Sequence, residues 1–503
     1  MTTFLSLQQN SLVSYKPNKE NKITNPINLS PNEIKLFSIL KEIIEENKIK
    51  NIKLLAVGGW VRDHLLNMES NDLDIVIKGI SSKELVILLN KKVNNKKYIM
   101  ANNKVKKQEG KEINLTKTSI CDIMIDFVEL VNDNLLEDAK CRDFTFNAIY
   151  YNILENKIED VLNFGINDLK NGFIRTCIPP YQLFNNDSLN ILRMLRFATK
   201  FQFVIDDECL KAIDNNKNEY QNILLNKINK ERIHKELFSI FTSSNPSFAI
   251  YTLYKFDLLQ YVLHLDSHKN DKNWLTDKDI LNITNIFVVG KICFDKYKTF
   301  FEKENYDNQY KCSYYSVLLT ILMRNFTDMH NNILSKVILA KVLKIESKKT
   351  LKIINHFDEF NSFISNKTYN RLNVGILLRK ILLSNISQII LISVANEYVT
   401  KTNANILLDN IDSNELDQIF NKYYDLYEYI KKENLEGVND VKSIIDGKEI
   451  KKIFKGLPEK YLGTFMEGLV NKQIETKGNF TKDDAINFIK YKIDELKIEL
   501  NSQ

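Results

Sequence analysis

The chain has 503 residues, more than one hydrophobic core usually supports, so two or more domains are expected. Its hydrophobic fraction of 44% and charged fraction of 27% are those of an ordinary soluble globular protein. The net charge of +6 suits a polyanionic partner without demanding one, because AT-rich coding bias towards lysine, asparagine and isoleucine would account for it equally well.

Cysteine and histidine usage argues against a disulfide framework and a structural zinc site. His264 and His268 have the i, i+4 spacing of metal ligands, with Asp266 between them, but no third ligand is nearby, so a metal site there is disfavoured. The six cysteines show no paired spacing and are expected to be reduced thiols: Cys121, Cys141, Cys177, Cys209, Cys293 and Cys312.

The apolar stretch from Val374 to Ala395 is interrupted by Arg379 and Lys380, which predicts a buried helix and not a membrane span. No membrane partner is therefore expected. The first 19 residues lack acidic residues and carry two lysines but no arginine, which makes a weak mitochondrial presequence. We expect a cytoplasmic or nuclear protein, with a mitochondrial location also open.

The first predicted element is a helix that begins at Ser30-Pro31-Asn32-Glu33, a capping box with proline at the first helical position. Strands are predicted next, at residues 54–57, 73–77, 122–127, 148–153 and 158–162. The lysine- and asparagine-rich stretch 91–111 is predicted to be a solvated loop.

From about Asp187 onward, long amphipathic patterns replace the strand signals. Helices are predicted at residues 189–201, 230–241, 333–357, 416–432 and 483–500. Together with the sparse glycine and proline, this pattern predicts a small α/β head followed by a long helical body.

The residues best suited to chemistry begin with a glycine turn, Val57-Gly58-Gly59-Trp60-Val61-Arg62-Asp63. Adjacent glycines let a backbone approach a triphosphate closely, and Arg62 can bind its oxygens. Asp72 and Asp74 follow on a predicted strand, where alternate side chains share one face. Two such carboxylates can hold divalent cations such as Mg²⁺, which activate an attacking hydroxyl and stabilise a departing pyrophosphate. Asp126, on a neighbouring predicted strand, is a third candidate carboxylate.

An isolated Asp-x-Asp pair is most often plain surface charge. The combination of a strand, a glycine turn, an Arg-Asp pair, a helix and a second strand that carries the two aspartates is much rarer by chance. We therefore interpret this unit as functional.

With the motifs that follow it, this unit resembles the class II tRNA nucleotidyltransferases and their bacterial poly(A) polymerase relatives. The stretch from Cys141 to Ala148 is similar to the family motif that recognises the ribose, with Cys141 in place of its first arginine. By that match Arg142 and Asp143 would hold the sugar. Other stretches resemble the family's hinge motif, nucleobase-reading helix, following structural motif and eukaryotic-type tail: 169–176, 187–198, 230–236 and 445–463.

The resemblance implies a role for each matched residue. Asp72, Asp74 and Asp126 would be catalytic, and Asp72 and Asp74 would bind the metal. The nucleotide would be bound by Gly58, Gly59, Arg62, Asp63, Arg142, Asp143, Asn147, Asp187, Asn190, Arg193 and Arg196. Ion pairing is the alternative role for Arg193 and Arg196, which lie about one helical turn apart.

The resemblance also implies an α+β fold, in which a small mixed-sheet head precedes an all-helical neck, body and tail. The expected domains are an N-terminal extension (1–29), a nucleotidyltransferase head (30–182), a helical neck (183–245), and a helical body and tail that binds tRNA (246–503). The expected reaction adds CCA to the 3′ end of tRNA from CTP and ATP with Mg²⁺, without a nucleic-acid template. The oligomeric state is left open.

One departure from the family concerns its amino-acid template, an acidic residue followed three positions later by arginine. Asp187 and Asn190 occupy these positions. Asp187 can accept a hydrogen bond from the amine of CTP or ATP, but Asn190 offers a neutral amide instead of a guanidinium. We therefore expect weaker nucleotide binding and less sharp selection against UTP than the family pattern gives.

A second departure is the short segment between Asp126 and Arg142. Family members that complete CCA usually carry a longer flexible loop there, and a short loop resembles enzymes that add CC and stop. CC-only addition and a poly(A) polymerase activity both stay open. A catalytically silent RNA-binding relative is also open, although retention of Asp72 and Asp74 argues against it.

Overall fold

The computed structural model describes residues 21–24, 27–70, 72–93, 101–106, 112–243, 245–263, 276–302, 347–402 and 411–496, with backbone alone for 101–106, 112–114 and 347–350. The chain divides into two compact units, Met1–Asp266 and Ser267–Gln503. The first contains the predicted strands and the motifs that carry chemistry. The finer division at residues 29, 182 and 245 stays a prediction.

The first unit is built on a mixed sheet. Its strands are β1 (Lys53–Val57), β2 (Asp72–Lys78), β3 (Ala101–Lys106), β4 (Glu112–Ile120), β5 (Ile123–Glu129), β6 (Tyr150–Asn152) and β7 (Lys157–Glu159). Their order is β3-β4-β5-β2-β1-β6-β7, with β2 and β5 parallel and the other neighbours antiparallel. Two short parallel strands, β8 (Phe173–Ile174) and β9 (Val204–Ile205), pair separately. The mixed sheet of the expected fold is confirmed.

Helices flank and follow this sheet. They are α1 (Pro31–Glu46), α2 (Gly59–Leu65), α3 (Ser82–Val93), α4 (Leu135–Lys140), α5 (Gly165–Asn171), α6 (Pro180–Asn186), α7 (Leu189–Phe201), α8 (Asp207–Asn226), α9 (Lys230–Phe241), α10 (Pro246–Lys255) and α11 (Leu259–Val262). The predicted capping box of α1 is confirmed: the Ser30 hydroxyl accepts from the Glu33 amide, and the Glu33 carboxylate accepts from the Ser30 amide. The bounds predicted for α7 and α9 are also confirmed.

The prediction of a loop over residues 91–111 is wrong. Residues 91–93 end α3, and residues 101–106 form β3, which pairs antiparallel with β4. β3 lies at the edge of the sheet, where lysine and other polar residues are common because they discourage pairing with another chain. The polar composition of this stretch is typical of a loop, but pairing with β4 makes residues 101–106 a strand.

Aromatic residues join the sheet to α7. Phe144 and Phe146 stack on each other, and both make edge-on contacts with Phe197 of α7. Helix α7 also packs against α9. This packing holds α7 against the segment that precedes β6.

The second unit is helical in all its described parts. Its helices are α12 (Asp277–Lys296), α13 (Lys298–Glu302), α14 (Ser347–Asn366), α15 (Arg371–Ile381), α16 (Ile386–Thr402), α17 (Ser413–Lys432), α18 (Gly447–Ile453), α19 (Leu462–Glu475) and α20 (Lys482–Glu495). The helices predicted at 416–432 and 483–500 correspond to α17 and α20. The one predicted at 333–357 overlaps α14, and its part before residue 347 lies outside the described residues.

The prediction of one buried helix over residues 374–395 is wrong, because the stretch contains two. Leu382 has a φ of +68°, which ends α15, and the side-chain amide of Asn385 donates to the Ile381 carbonyl at 2.7 Å, which closes that turn. No single helix among the described residues is long and apolar enough to cross a bilayer. Two consecutive helical segments, Arg371–Ile381 and Leu383–Thr402, are long and apolar enough only when they are taken together, and the chain bends by 74° between them.

Other expectations concern cysteine, histidine and the tail. The five described cysteines are free thiols, while Cys312, His264 and His268 lie outside the described residues. The stretch 445–463 and the helices after it bury an apolar cluster that includes Ile445, Leu469 and Ile489. The tail-like motif therefore forms part of a core.

Candidate functional site

A cavity of about 620 Å³ lies in the first unit, which is in the usual range for sites that bind small molecules. Five arginines and three aspartates line it, so positive charge is in excess and suits a polyphosphate. Its lining is Gly58, Gly59, Arg62, Asp74, Val76, Val128, Cys141, Arg142, Asp143, Asn147, Leu183, Asp187, Asn190, Arg193, Arg196, Phe197 and Arg232.

Asp74 reaches the cavity from the middle of the sheet. It stands opposite Asp126 in the register of the parallel strands β2 and β5. Leu73 and Ile75 are buried on the opposite face, so Asp72 and Asp74 project from one face, as the strand pattern predicts. Asp72 is exposed where β2 begins and, like Asp126, does not line the cavity itself.

The surroundings of Asp74 disfavour its negative charge. Burial raises the pKa of its carboxyl group, and the neighbouring carboxylates of Asp126 and Asp72 raise it further. Arg142 and Lys117 oppose this rise but do not cancel it. A raised carboxyl pKa in a cluster of like charges means that a cation there would be stabilised.

The residues that could hold a metal ion are these three aspartates. Asp126 is ion-paired with Lys117, which stands opposite it on β4. In the described part of the chain, no three histidine, cysteine or acidic side chains are gathered closely enough to hold a metal ion in their present rotamers. The donor set nevertheless fits a hard divalent cation, since it consists of carboxylate oxygens and the pKa of Asp74 stays raised despite Arg142 and Lys117.

Gly58 leaves the space beside Asp74 open. Its φ of +79° and ψ of −137° belong to a region that residues with a side chain rarely adopt. A Cβ atom there would lie 3.4 Å from Asp74 Oδ2 and 3.7 Å from Arg142 Nη1. The glycine predicted from the sequence therefore borders both an acidic and a basic group.

Arg62 and Asp63 lie behind the glycine turn. The Arg62 guanidinium is buried, donates to Asp63 Oδ1 from Nε at 2.8 Å and to Asn147 Oδ1 from Nη1 at 2.8 Å, and stacks on Phe197 and Phe201. Arg62 lines the cavity, but Asp63 does not. These contacts indicate that Arg62 holds the Asn147 side chain in position.

Arg142 and Asp143 meet the cavity as the motif match implies, and each is held by other side chains. Arg142 donates to the fully buried Asp138 from Nη2 at 3.0 Å, and Tyr150 donates to the same carboxylate at 2.8 Å. Asp143 accepts from Arg193 Nη2 at 2.5 Å and from Asn147 Nδ2 at 2.9 Å. Burial raises the pKa of Asp143, but these bonds, led by Arg193, outweigh burial and lower it, so Asp143 is an anion.

The ion-pairing alternative for Arg193 and Arg196 is what the structure contains. Arg193 pairs with Asp143, and Arg196 donates from Nε to Glu236 at 2.7 Å. Both arginines still line the cavity, as the family match implies. Their guanidinium groups are thus oriented by carboxylates before any ligand arrives.

Asp187 and Asn190 lie at the start of α7, in the cavity wall. Asp187 accepts from the Leu189 amide at 3.1 Å and from Arg232 Nη2 at 2.6 Å. The sequence reading missed Arg232, which belongs to the first turn of α9. A local sequence pattern cannot predict a contact between residues that are 45 positions apart.

A second feature that the sequence did not reveal is a hydrogen-bonded group formed by Glu33, Trp60 and His64, next to the glycine turn. Trp60 Nε1 donates to Glu33 Oε1 at 2.7 Å, and His64 Nε2 lies 3.0 Å from the same oxygen. His64 Nδ1 lies 3.0 Å from the Trp60 carbonyl oxygen. Because both partners of His64 are acceptors, both of its ring nitrogens donate only in the imidazolium form.

Comparison with known proteins gives matches along the chain. Residues 54–175 match the family model "Poly A polymerase head domain", and residues 202–266 match "Probable RNA and SrmB- binding site of polymerase A". The mitochondrial CCA tRNA nucleotidyltransferase of Candida glabrata is 27% identical, over 92% of this chain and 96% of its own. That of Saccharomyces cerevisiae is 26% identical, over 94% and 95%.

Solved structures give the same outline. A CCA-adding enzyme in complex with CTP superimposes with a TM-score of 0.58 at 18% identity. The match covers 94% of this chain and 97% of that one. At this identity the likeness establishes a shared fold.

Proposed function

The chain belongs to the class II family of CCA-adding tRNA nucleotidyltransferases, and we propose that its cavity binds CTP and ATP and transfers their nucleotidyl groups to the 3′ end of tRNA. In this reaction the terminal 3′ oxygen of the RNA bonds to the α-phosphorus, and pyrophosphate leaves. The observation that carries the proposal is the position of Asp74 in the cavity, opposite Asp126 and beside Gly58.

The proposed metal ligands are Asp72 and Asp74, with Asp126 as the third catalytic carboxylate. Divalent ions such as Mg²⁺, held there, would neutralise charge at the reacting phosphate and activate the RNA hydroxyl. The open space at Gly58 admits the phosphates, and the surrounding guanidinium groups bind their oxygens. Arg142 and Asp143, fixed by Asp138 and Arg193, are proposed to hold the ribose.

The helical second unit is proposed to bind the acceptor arm of tRNA through phosphates and 2′-hydroxyls. Lys352 of α14 is partly exposed and is a candidate for such a phosphate contact. Tyr423 of α17 is buried and donates to Glu397 at 2.7 Å, so it packs within the helical unit and is not proposed as an RNA contact.

A CC-only product is the second candidate, favoured by the segment that precedes Arg142. After β5, the chain forms a single turn at Val131–Asp133 and enters α4, whose Asp138 is fully buried against Arg142. The segment is thus short and packed, where family members that complete CCA usually carry a long flexible loop.

One assay separates these activities. The purified protein is incubated with tRNA that ends at the discriminator base, with CTP and ATP singly and together, and the 3′ ends are sequenced. CCA ends support the main proposal, and ends that stop at CC support the second candidate. A long A tail from ATP alone would identify a poly(A) polymerase, while unchanged ends would favour a silent relative and contradict both proposals.

For location we propose a cytoplasmic or nuclear pool together with a mitochondrial one. The mitochondrial pool is suggested by the names of the two yeast relatives. Imaging of the full chain with a C-terminal fluorescent tag tests this, and a signal that never overlaps mitochondria would remove that pool.

A further inference from the structure

Part of the cavity wall is an ion pair between two packed helices. Arg232, in the first turn of α9, donates to Asp187 at the start of α7. Both residues line the cavity together with Asn190. The pair therefore presents a carboxylate and a guanidinium side by side to whatever occupies this part of the cavity.

This pair has hydrogen-bonding capacity to spare. The Asp187 carboxylate offers about four lone pairs and, in the described part of the chain, accepts only from the Leu189 amide and Arg232. Arg232 carries five N–H donors, and within the described residues its side chain bonds only Asp187. The Asn190 side-chain amide has no protein partner among the described residues, so it too is available.

We propose that Arg232 is a specificity-determining residue, which reads the edge of the incoming nucleobase together with Asp187. The inference rests on the proposed function. Cytosine and adenine each present an amine donor beside a ring nitrogen that accepts, so the amine suits Asp187 and the ring nitrogen suits Arg232. Uracil and guanine present a carbonyl and an N–H at these positions, which places acceptor against acceptor and donor against donor.

This arrangement alters the expectation that Asn190 weakens base selection. The guanidinium that position 190 lacks is supplied by α9, and it is charge-assisted through its contact with Asp187. Selection of CTP over UTP therefore does not require an arginine on α7.

The first test is Arg232→Gln, which keeps a polar side chain but removes the charge and the fork of donors. The ratio of kcat/KM for CTP over UTP, on tRNA that lacks its CCA end, is expected to fall about ten- to hundredfold, the range of a lost hydrogen bond to a charged group. Lys235→Gln is the matched control, because Lys235 is exposed on the same helix and does not line the cavity, and its ratio is expected to be unchanged.

The second test uses Asn190→Arg, to separate base reading from a structural ion pair. In the Arg232→Gln background it is expected to restore most of the preference for CTP, whereas in the wild type it changes the preference less than about threefold. Rescue of preference, and not only of thermal stability, is a readout that a purely structural ion pair would not give.

Three results would overturn the inference. Arg232→Gln that folds with an unchanged preference would do so, and so would an equal gain from Asn190→Arg in both backgrounds. If Arg232→Gln does not fold, Arg232→Lys retains the charge without the fork, and an unchanged preference in it would also overturn the inference. These outcomes leave wild-type incorporation of CTP intact, whereas its absence would overturn the proposed function as well.

Discussion

At the residue scale, the site depends on a few groups whose neighbours fix their charge and orientation. Asp74, Arg142 and Asp143 were identified from the sequence because strand alternation and motif spacing are local properties. Two supporting residues were not identified: Asp138, which pairs with Arg142 four positions away, and Arg232, which pairs with Asp187 from 45 positions away, a contact that no short pattern encodes. The sequence therefore predicts which residues line the cavity better than which residues support them.

Substitution of Gly58 is expected to disable the site. Gly58→Ala forces a side chain into a backbone conformation with φ of +79° and sets a methyl group 3.4 Å from Asp74 Oδ2. The strain costs roughly 1–3 kcal/mol in the free energy of unfolding, and the methyl group narrows the approach of the phosphates. We expect kcat/KM for CTP to fall at least about a hundredfold.

The control for this variant is Gly437→Ala. Gly437 has a φ of −86°, and a Cβ atom there would meet nothing within 4 Å. Its activity and melting temperature are expected to match the wild type. Equal loss in both variants would show that the effect of Gly58→Ala is not local to Asp74.

The Glu33–His64 pair predicts how stability depends on pH. Burial alone raises the pKa of Glu33, but hydrogen bonds from His64, Ser30 and Trp60 outweigh burial and lower it to about 2. Its contribution to stability is therefore complete above the ordinary value of 4.5 and is lost as pH falls towards 2. Burial lowers the pKa of His64, but Glu33 outweighs burial and raises it above 6.5, so that contribution is lost as pH rises through the raised value.

Denaturant unfolding of wild type and Glu33→Gln across pH measures this dependence. The wild type is expected to be more stable by roughly 1–3 kcal/mol between about pH 4.5 and 6.5, with the difference shrinking on both sides. A difference that does not change with pH would mean that this pair is not ionised in the folded protein.

At the scale of elements, the elements best predicted were those with strong periodicity. Helices α7 and α9 were predicted to the residue, since each has an apolar face that packs in the first unit. β3 was missed because it is a polar edge strand, and its pairing with β4 is decided outside its own sequence. The stretch 374–395 was read as one helix because its apolar run continues through the break at Leu382.

Helix α4 is expected to act as a support for Arg142. Asp138→Asn removes the buried carboxylate that accepts from Arg142 and Tyr150 and leaves the guanidinium without its counter-charge. Loss of one partner of a buried pair typically costs about 3–5 kcal/mol in the free energy of unfolding. Thermal and denaturant unfolding measure this cost.

Tyr150→Phe is the matched comparison, because it removes only the hydroxyl that donates to Asp138. It is expected to cost about 1.5–3 kcal/mol, the range for a hydrogen bond to a charged group. Asp138→Asn that proves no more harmful than Tyr150→Phe would refute the supporting role of α4.

At the scale of the whole molecule, the chain combines a mixed-sheet unit with a helical one. The first carries the described cavity, and the second is the proposed tRNA-binding part. The order of a sheet-rich part before a helical part was readable from the sequence, because the hydrophobic period changes near residue 187. The point of division at residue 266 was not marked by composition.

Binding of tRNA is expected to depend steeply on salt, because phosphate contacts release counterions. Between 50 and 200 mM monovalent salt, the Kd for tRNA should rise by about tenfold or more, while the KM for CTP changes less. Fluorescence anisotropy with labelled tRNA measures this. A Kd indifferent to salt would contradict recognition through the phosphate backbone.

Asp74 is proposed to take part directly in nucleotidyl transfer. The most direct test is the rate at which labelled CTP is incorporated into tRNA without its CCA end, compared among wild type, Asp74→Asn and the exposed Asp122→Asn. We predict that Asp74→Asn loses roughly 10³-fold or more in rate without a fall in melting temperature, while Asp122→Asn matches the wild type. An Asp74→Asn variant that extends tRNA at the wild-type rate would show that Asp74 is not needed for nucleotidyl transfer.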